Sequence, residues 1–347
     1  MLAKRALLRP SRGLGLFALS RRWSPGRLLI LCYHGISQTD EHRWRPRMFI
    51  SPSTFERRLD YLHRSGIPVV SLEVGLSRLA GEGSRAPFSV VITFDDGFHN
   101  FADQALPRLL AVPFPATVYV STYYVRHPNW PVFDPAVDYM LWSRSGRVVP
   151  GKLIDEADPL DTSDNRAREH SAKRIYAHAD AERLDGSGKN ALLQSLAETL
   201  DFPYEELVAR RKLCMMSADD VASVAAAGMD VQLHTHRHRA DVDGDSLARE
   251  IADNRAALAE MGVSRAAHFC YPNGTWSRAM WDTLRRSGIE SAATCDGGVV
   301  SARTEPYALP RFLDSESVAQ IEFEAWVSGF VSLAHRFLRG DRGDLGR

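Results

Sequence analysis

Two short stretches hold the side chains best suited to chemistry. Thr93-Phe94-Asp95-Asp96-Gly97 sets two carboxylates side by side ahead of a glycine, and His234-Thr235-His236-Arg237-His238 sets two imidazoles four residues apart. Adjacent carboxylates repel one another unless a cation relieves them. Imidazoles at i and i+4 meet on one helical turn or a tight loop, a spacing suited to zinc. Asp96, His234 and His238 therefore read as a two-histidine, one-carboxylate set, with coordination positions left open for water and substrate as a catalytic metal demands. Zinc is the default ion. A metal-bound water with its pKa lowered toward ~7 would be the nucleophile, and Asp95, uncoordinated, would accept its proton as general base. His236 is the spare imidazole. Taken singly, each stretch has a plainer reading, a polar turn after a strand or a solvated His/Arg loop; together they favour a metal site.

The elements around these residues must deliver them to one place. Phe88 to Phe94 is an unbroken β-branched and aromatic run, the pattern of a strand buried on both faces, so the two acids fall at its C-terminal end. Successive strand side chains point to opposite faces, so Asp95 and Asp96 share a task only if Gly97 lets the chain turn. Met229 to Leu233 alternates after Gly228 and delivers His234 to a second strand end. Further apolar runs are Arg27 to Tyr33, Val69 to Leu72, Ala116 to Val120, Ala266 to Tyr271 and Ser291 to Thr294. Between them, Ser51 to Ser65, a helix opened by Ser217-Ala-Asp-Asp220, Asp245 to Met261 and Ser277 to Ser287 have helical spacing or caps and end at glycines. Strand and helix alternation of this kind predicts a parallel α/β sheet or barrel with its active site at the strands' C-terminal ends.

These motifs resemble the first two motifs of the polysaccharide deacetylases, the NodB-like domains of carbohydrate esterase family four. The resemblance runs from about Leu28 to Arg311 and takes in Leu31-Cys32-Tyr33-His34-Gly35, Phe269-Cys270-Tyr271-Pro272-Asn273-Gly274 and Leu309-Pro310-Arg311. It implies a distorted, incomplete (β/α) barrel with an inserted, mainly helical segment. It also implies Asp95 as catalytic base, Asp96, His234 and His238 as metal ligands, and removal of N-acetyl groups from an amino sugar in a polysaccharide, oligosaccharide or lipid-linked glycan precursor.

Departures from the family pattern define further expectations. The third motif commonly begins with an arginine that orients the catalytic aspartate; Cys270 stands there. Tyr271, Pro272 and Asn273 are expected to shape a groove wall, with the Asn273 backbone N–H helping to hold the oxyanion. The late Leu-x-x-His motif is missing, and Leu309-Pro310-Arg311-Phe312 stands near its place. Arg311 is accordingly the candidate for the missing cation beside Asp95. His34, at the C-terminal end of the first strand, is the candidate general acid, its alternative role being to close a turn before Gly35. His99 and His268 are read as structural.

Composition suits a soluble enzyme: 347 residues, 44% hydrophobic and 25% charged, with zero net charge and nothing suggesting nucleic acid. The expected organisation is a basic leader over 1–26, a barrel over 27–320 interrupted at about 123–212, and a C-terminal amphipathic helix with its tail over 321–347. In the interruption, Arg166 to Leu184 and Lys189 to Leu200 read as surface helices. Its aromatic opening, Trp130 to Trp142, would either stack on sugars or, the commoner role, anchor the segment to the barrel. Seven Lys or Arg and no acid precede Asp40, a bias suited to an anionic membrane surface, although a short solvated leader is the plainer reading. Four cysteines without a disulfide framework, and no adequate signal peptide, lead to a cytoplasmic expectation, at or away from the membrane's inner face. Two other functions share these residues. One is a carbohydrate-binding protein that has lost catalysis. The other is an iron(II) oxygenase, which would need a mainly antiparallel β scaffold.

Overall fold

The computed structural model describes residues 2–150, 153–154, 159–239 and 243–339. Seven parallel strands close a barrel: β1 (Leu28–Tyr33), β2 (Ser89–Phe94), β3 (Thr117–Val120), β4 (Asp230–Leu233), β5 (His268–Cys270), β6 (Ser291–Gly297) and β7 (Leu309–Leu313). Each strand neighbours the next in sequence, and β7 pairs with β1 through Leu31 and Phe312 to complete the circle. The barrel is thus one strand short of the eight of a complete (β/α) barrel. Its irregularity lies between β6 and β7, where the register shifts between Ala293 and Gly297.

β1 and β2 are buried along their whole length, which is why their sequences run apolar without alternation. Inward side chains such as Ile30, Val91, Tyr119 and Leu309 fill the barrel as a packed core. Outside it, α3 (Pro52–Arg64) starts where the Ser51 hydroxyl accepts from the Thr54 N–H and Pro52 needs no donor. α4 (Leu72–Glu82) starts in the same way at Ser71. Val69 to Leu72 is therefore not a strand: Val69 makes only an isolated bridge to Val90, and Leu72 already belongs to the helix. Later, α5 (Ala218–Ala226), α6 (Gly244–Glu260) and the short α7 (Trp281–Arg286) accompany β4, β5 and β6.

Residues 124–217 form a separate compact unit. Its helices Phe133–Ser143, Asn165–Ala181 and Gly186–Leu200 enclose a core containing Phe133, Met140, Ile175, Leu193 and Leu196. Phe133 and Tyr139, expected either to stack on sugars or to anchor the insertion, are buried within this unit.

Both ends of the chain are more structured than expected. The leader forms α1 (Leu2–Gly13) and α2 (Leu16–Arg22), with Phe17 buried and Arg12 paired with Glu324 at 2.9 Å, so it is no solvated extension. The single C-terminal amphipathic helix expected within 321–347 is two, α8 (Gln320–Val327) and α9 (Phe330–Arg339), broken at Gly329 with φ 73°. The tail at 340–347 and Met1 lie outside the described residues. Among the described residues no helix is long and apolar enough to cross a membrane.

A buried ion pair ties α3 to the chain following β7. Arg58 Nε donates to Asp314 Oδ2 at 3.0 Å, the Tyr33 hydroxyl donates to the same oxygen at 2.8 Å, and Arg58 Nη2 donates to the Val318 carbonyl. Burial still pulls the Asp314 carboxyl above its ordinary range despite both partners, so the pair does not fully offset its desolvation. Removing one partner should be much worse than having neither. Arg58→Ala is expected to lower unfolding stability by about 3–5 kcal/mol in a urea titration; a loss below ~1 kcal/mol would contradict this role.

Candidate active site

The proposed site residues converge at the C-terminal ends of β1, β2, β4, β5 and β7. Asp95 and Asp96 follow β2, and the turn between their tasks begins earlier than the glycine suggested, because Asp96 itself has φ 70° ahead of Gly97 at 85°. This left-handed backbone sends the two carboxylates to different partners. A side chain at Gly97 would also press on Val120, within 3.0 Å of its Cγ1.

Asp96 meets the two histidines. Its Oδ1 lies 3.1 Å from His234 Nε2 and 3.2 Å from His238 Nε2, and the imidazole centroids are 5.0 Å apart. His234 is fixed from behind, since its Nδ1 lies 2.8 Å from the Cys270 carbonyl oxygen, which can only accept. The proton of a neutral His234 must then sit on Nδ1, leaving the Nε2 lone pair facing a carboxylate lone pair. Two acceptors at that distance call for a cation between them, and a carbonyl-oriented imidazole is the usual support of a metal-ligating histidine. The donor set therefore fits a divalent metal held by Asp96 Oδ1, His234 Nε2 and His238 Nε2. Burial opposes ionisation of Asp96, but the two imidazoles hold its carboxyl well below the ordinary range.

Asp95 is held apart from that group by Arg311. The guanidinium rises from β7 and makes a bidentate pair, Nη1 to Oδ1 and Nη2 to Oδ2, each 2.7 Å, with both residues almost fully buried. Arg311 is itself braced by the Thr294 carbonyl at 2.8 Å and lies over the Tyr119 ring. Two buried thiols, Cys32 and Cys270, each donate to Asp95 Oδ2 at 3.5 Å. Burial pushes both thiols well above their usual pKa, so they remain protonated donors. Cys270 also lies 3.2 Å from Arg311 Nη2, so its small side chain leaves room for the arginine that arrives from another strand. Burial works against the Asp95 charge, yet Arg311 outweighs it and brings the carboxyl down to about 2.

The remaining candidates have different surroundings. His34, partly exposed after β1, is near enough to help lower both aspartates. Asn273 is exposed in a left-handed conformation (φ 57°) in the turn after β5. Pro272 is buried. Tyr271, expected in the groove wall, is 1% exposed and gives its hydroxyl to the Tyr307 carbonyl, so it supports the turn from beneath and offers substrate no donor. His236 lies by the Thr122 hydroxyl at 2.8 Å, outside the metal group. His99 pairs with Asp220, and His268 with Ser291 and Glu73. A second convergence of Glu73, His268 and Glu290 already contains a cation, since Arg265 pairs with both glutamates.

Sequence reasoning passed over Asn254. Fully buried on α6, its Oδ1 accepts from the His234 N–H at 2.9 Å while its Nδ2 donates to the Val120 carbonyl and the Thr122 hydroxyl. One amide thus fixes the ends of β3 and β4 and sets the position of His234. Its place in the helical stripe of Leu247, Ile251, Ala257 and Leu258 is the sequence signal for it.

Residues 192–292 match the family described as polysaccharide deacetylase, a span that contains the histidine motif and the Cys270 to Gly274 turn. The fold resembles Streptococcus pyogenes deacetylase PplD in complex with acetate, at 16% identity and TM-score 0.56 over 89% of this chain and 98% of that one. The chain has a NodB-like (β/α) barrel fold. IcaB from Ammonifex degensii is similar at 19% identity and TM-score 0.54, covering 88% of this chain and 98% of that one. The deacetylase domain of BpsB from Bordetella bronchiseptica is similar at 12% identity and TM-score 0.50, covering 82% and 95%. No curated protein matches the sequence.

The Asp95 pair gives stability a pH dependence. Its carboxyl lies at about 2 against an ordinary 3.8, so its contribution is present above about pH 4 and is lost as pH falls through about 2. In metal-free protein, wild type should lose more stability than Asp95→Asn between those values, followed by thermal unfolding; parallel curves would contradict the pairing.

Proposed function

We propose that the protein is a metal-dependent hydrolase that removes N-acetyl groups from an amino sugar in a polysaccharide, oligosaccharide or lipid-linked glycan precursor. The observation that carries this is the separation of the two aspartates: one joins two imidazoles in a metal-fitting group, and its neighbour is held beside it by a cation. A structural metal site has no use for the second acid.

Zinc suits two imidazoles and a carboxylate, and when bound it would supply a water of lowered pKa and a Lewis acid for the amide oxygen. Asp95 would take the water's proton. Among the described residues, Oδ2 accepts from Arg311 and two thiols, whereas Oδ1 accepts from Arg311 alone; Oδ1 is therefore assigned as the basic atom. Arg311 orients it and lowers its basicity together, so it acts as a rigidly placed but weak base. His34 is assigned as the acid that protonates the leaving nitrogen, and the Asn273 backbone N–H as a donor to the developing oxyanion. Hydroxyl adds to the acyl carbon, the C–N bond breaks, and the nitrogen leaves as the free amine with acetate as the other product.

A binding protein without catalysis was suggested by the missing third-motif arginine and the missing late histidine; the guanidinium of Arg311 beside Asp95 stands in for the first, and His34 is the proposed substitute for the second. The parallel barrel weighs against an iron(II) oxygenase. The test is acetate release by zinc- or cobalt-loaded protein from N-acetylglucosamine oligomers, lipid-linked sugars and nucleotide sugars. Asp95→Asn should reduce turnover by roughly 10²–10⁴-fold, and Arg311→Ala should also reduce it. Cys270→Arg alone should inactivate, because two guanidinium groups would compete for one pocket, and Cys270→Arg combined with Arg311→Ala should recover part of the activity. Unchanged turnover in Asp95→Asn or Arg311→Ala would overturn these roles.

A further inference from the structure

The end of the barrel opposite the candidate site has an unusual surface. Of the seven exposed large apolar side chains among the described residues, three fall within ten residues: Leu14 is 76% exposed, Leu19 36% and Trp23 56%. This is not a frayed segment. Phe17 is buried and packs on Phe330 with ring centroids 5.1 Å apart, and Ser24 is buried close to Gly329 and Phe88. α2 is therefore fastened by one side and holds Leu19, Arg22 and Trp23 outward.

The leader itself carries charge of one sign, since no acid precedes Asp40, and on α2 Arg22 is exposed beside Trp23. Arg12 is paired with Glu324, and Arg21 donates to the Ser65 carbonyl. Beside α2 lies a cleft of about 800 Å³ whose lining includes Leu19, Ile67, Pro68 and Phe88 along with Arg21 and Arg22. Apolar walls next to two guanidinium groups match an amphiphile with an anionic head. Leucine and tryptophan projecting among arginines are the composition of an interfacial helix, with the aromatic ring at headgroup level and basic side chains drawn to anionic lipid.

We propose that the face formed by α2 and the turns flanking it docks on an anionic phospholipid bilayer. Trp23 to Gly26 leads into the start of β1, and Phe88 immediately precedes β2, so this face lies at the strands' N-terminal ends. Asp95, Asp96 and His234 lie at their C-terminal ends, about 20 Å away for strands of six residues. Docked this way, the barrel directs its site away from the bilayer. On the deacetylase reading, which the docking itself does not need, the acetylated sugars it reaches belong to a glycan extending from the surface and are not those next to a lipid carrier.

The test is cosedimentation of the full chain with vesicles of phosphatidylcholine alone or mixed with phosphatidylglycerol, with no substrate required. Binding should need the anionic lipid and weaken as salt rises. Arg22→Ala should weaken it roughly fivefold, and Leu19→Ser with Trp23→Ser should abolish it without shifting the thermal midpoint. Absence of binding, equal binding to the neutral vesicles, or patch variants that bind as well as wild type would overturn the proposal. So would a dimer in solution that the patch variants convert to monomer, because the face would then belong to a second copy. Loss of acetate release with vesicle binding intact would count against the deacetylase reading alone.

Discussion

A carboxylate buried in a barrel must be given a cation, and two carboxylates in sequence must be given two. Asp95 takes Arg311, which crosses from β7 to meet it in a bidentate pair, and Asp96 is left to face His234 and His238. Much else follows from this division. A small residue is needed at 270, because the Arg311 guanidinium runs 3.2 Å from its sulfur. The same residue's carbonyl fixes the His234 ring, so the turn after β5 serves both halves of the site. Closure of the barrel between β7 and β1 brings the arginine into place, and the chemistry and the topology are therefore coupled.

Holding this arrangement costs backbone strain. Of the eight non-glycine residues with positive φ among the described residues, Asp96, Thr235, His238 and Asn273 lie in the strand-end turns that build the site. Such conformations cost of order 1–3 kcal/mol each and persist only where surrounding contacts over-determine them. Asn254 is one such contact, binding the ends of two strands through a single buried amide. The fixed geometry is consistent with a site arranged before substrate arrives.

Much of this was legible in the sequence for identifiable reasons. β1 and β2, buried on both faces, read as continuous apolar runs, β4 as an alternating run after a glycine, and β3, β5 and β6 as shorter apolar stretches, so residues at their C-terminal ends could be expected to converge. β7 escaped because Pro310 and Arg311 interrupt its run; a fully buried arginine in a strand is intelligible only once its partner is known. Val69 to Leu72 misled because Ser71 caps a helix inside an apolar stretch. Local composition also hid α1 and α2, which contact α8 and α9; helices this short owe more to such packing than to propensity. The insertion read as surface helices because its apolar positions are scattered along the chain and gather only when three helices pack together.

The central claim is that Asp96, His234 and His238 hold one divalent cation while Asp95, bound by Arg311, stays out of its coordination. Titration with cobalt(II), followed by the intensity of its visible absorption, tests this without reference to any substrate. The expected result is one ion per chain, with a nearly unchanged spectrum in Asp95→Asn and loss of binding in His234→Ala or His238→Ala. Loss of cobalt in Asp95→Asn as complete as in the histidine variants would contradict it.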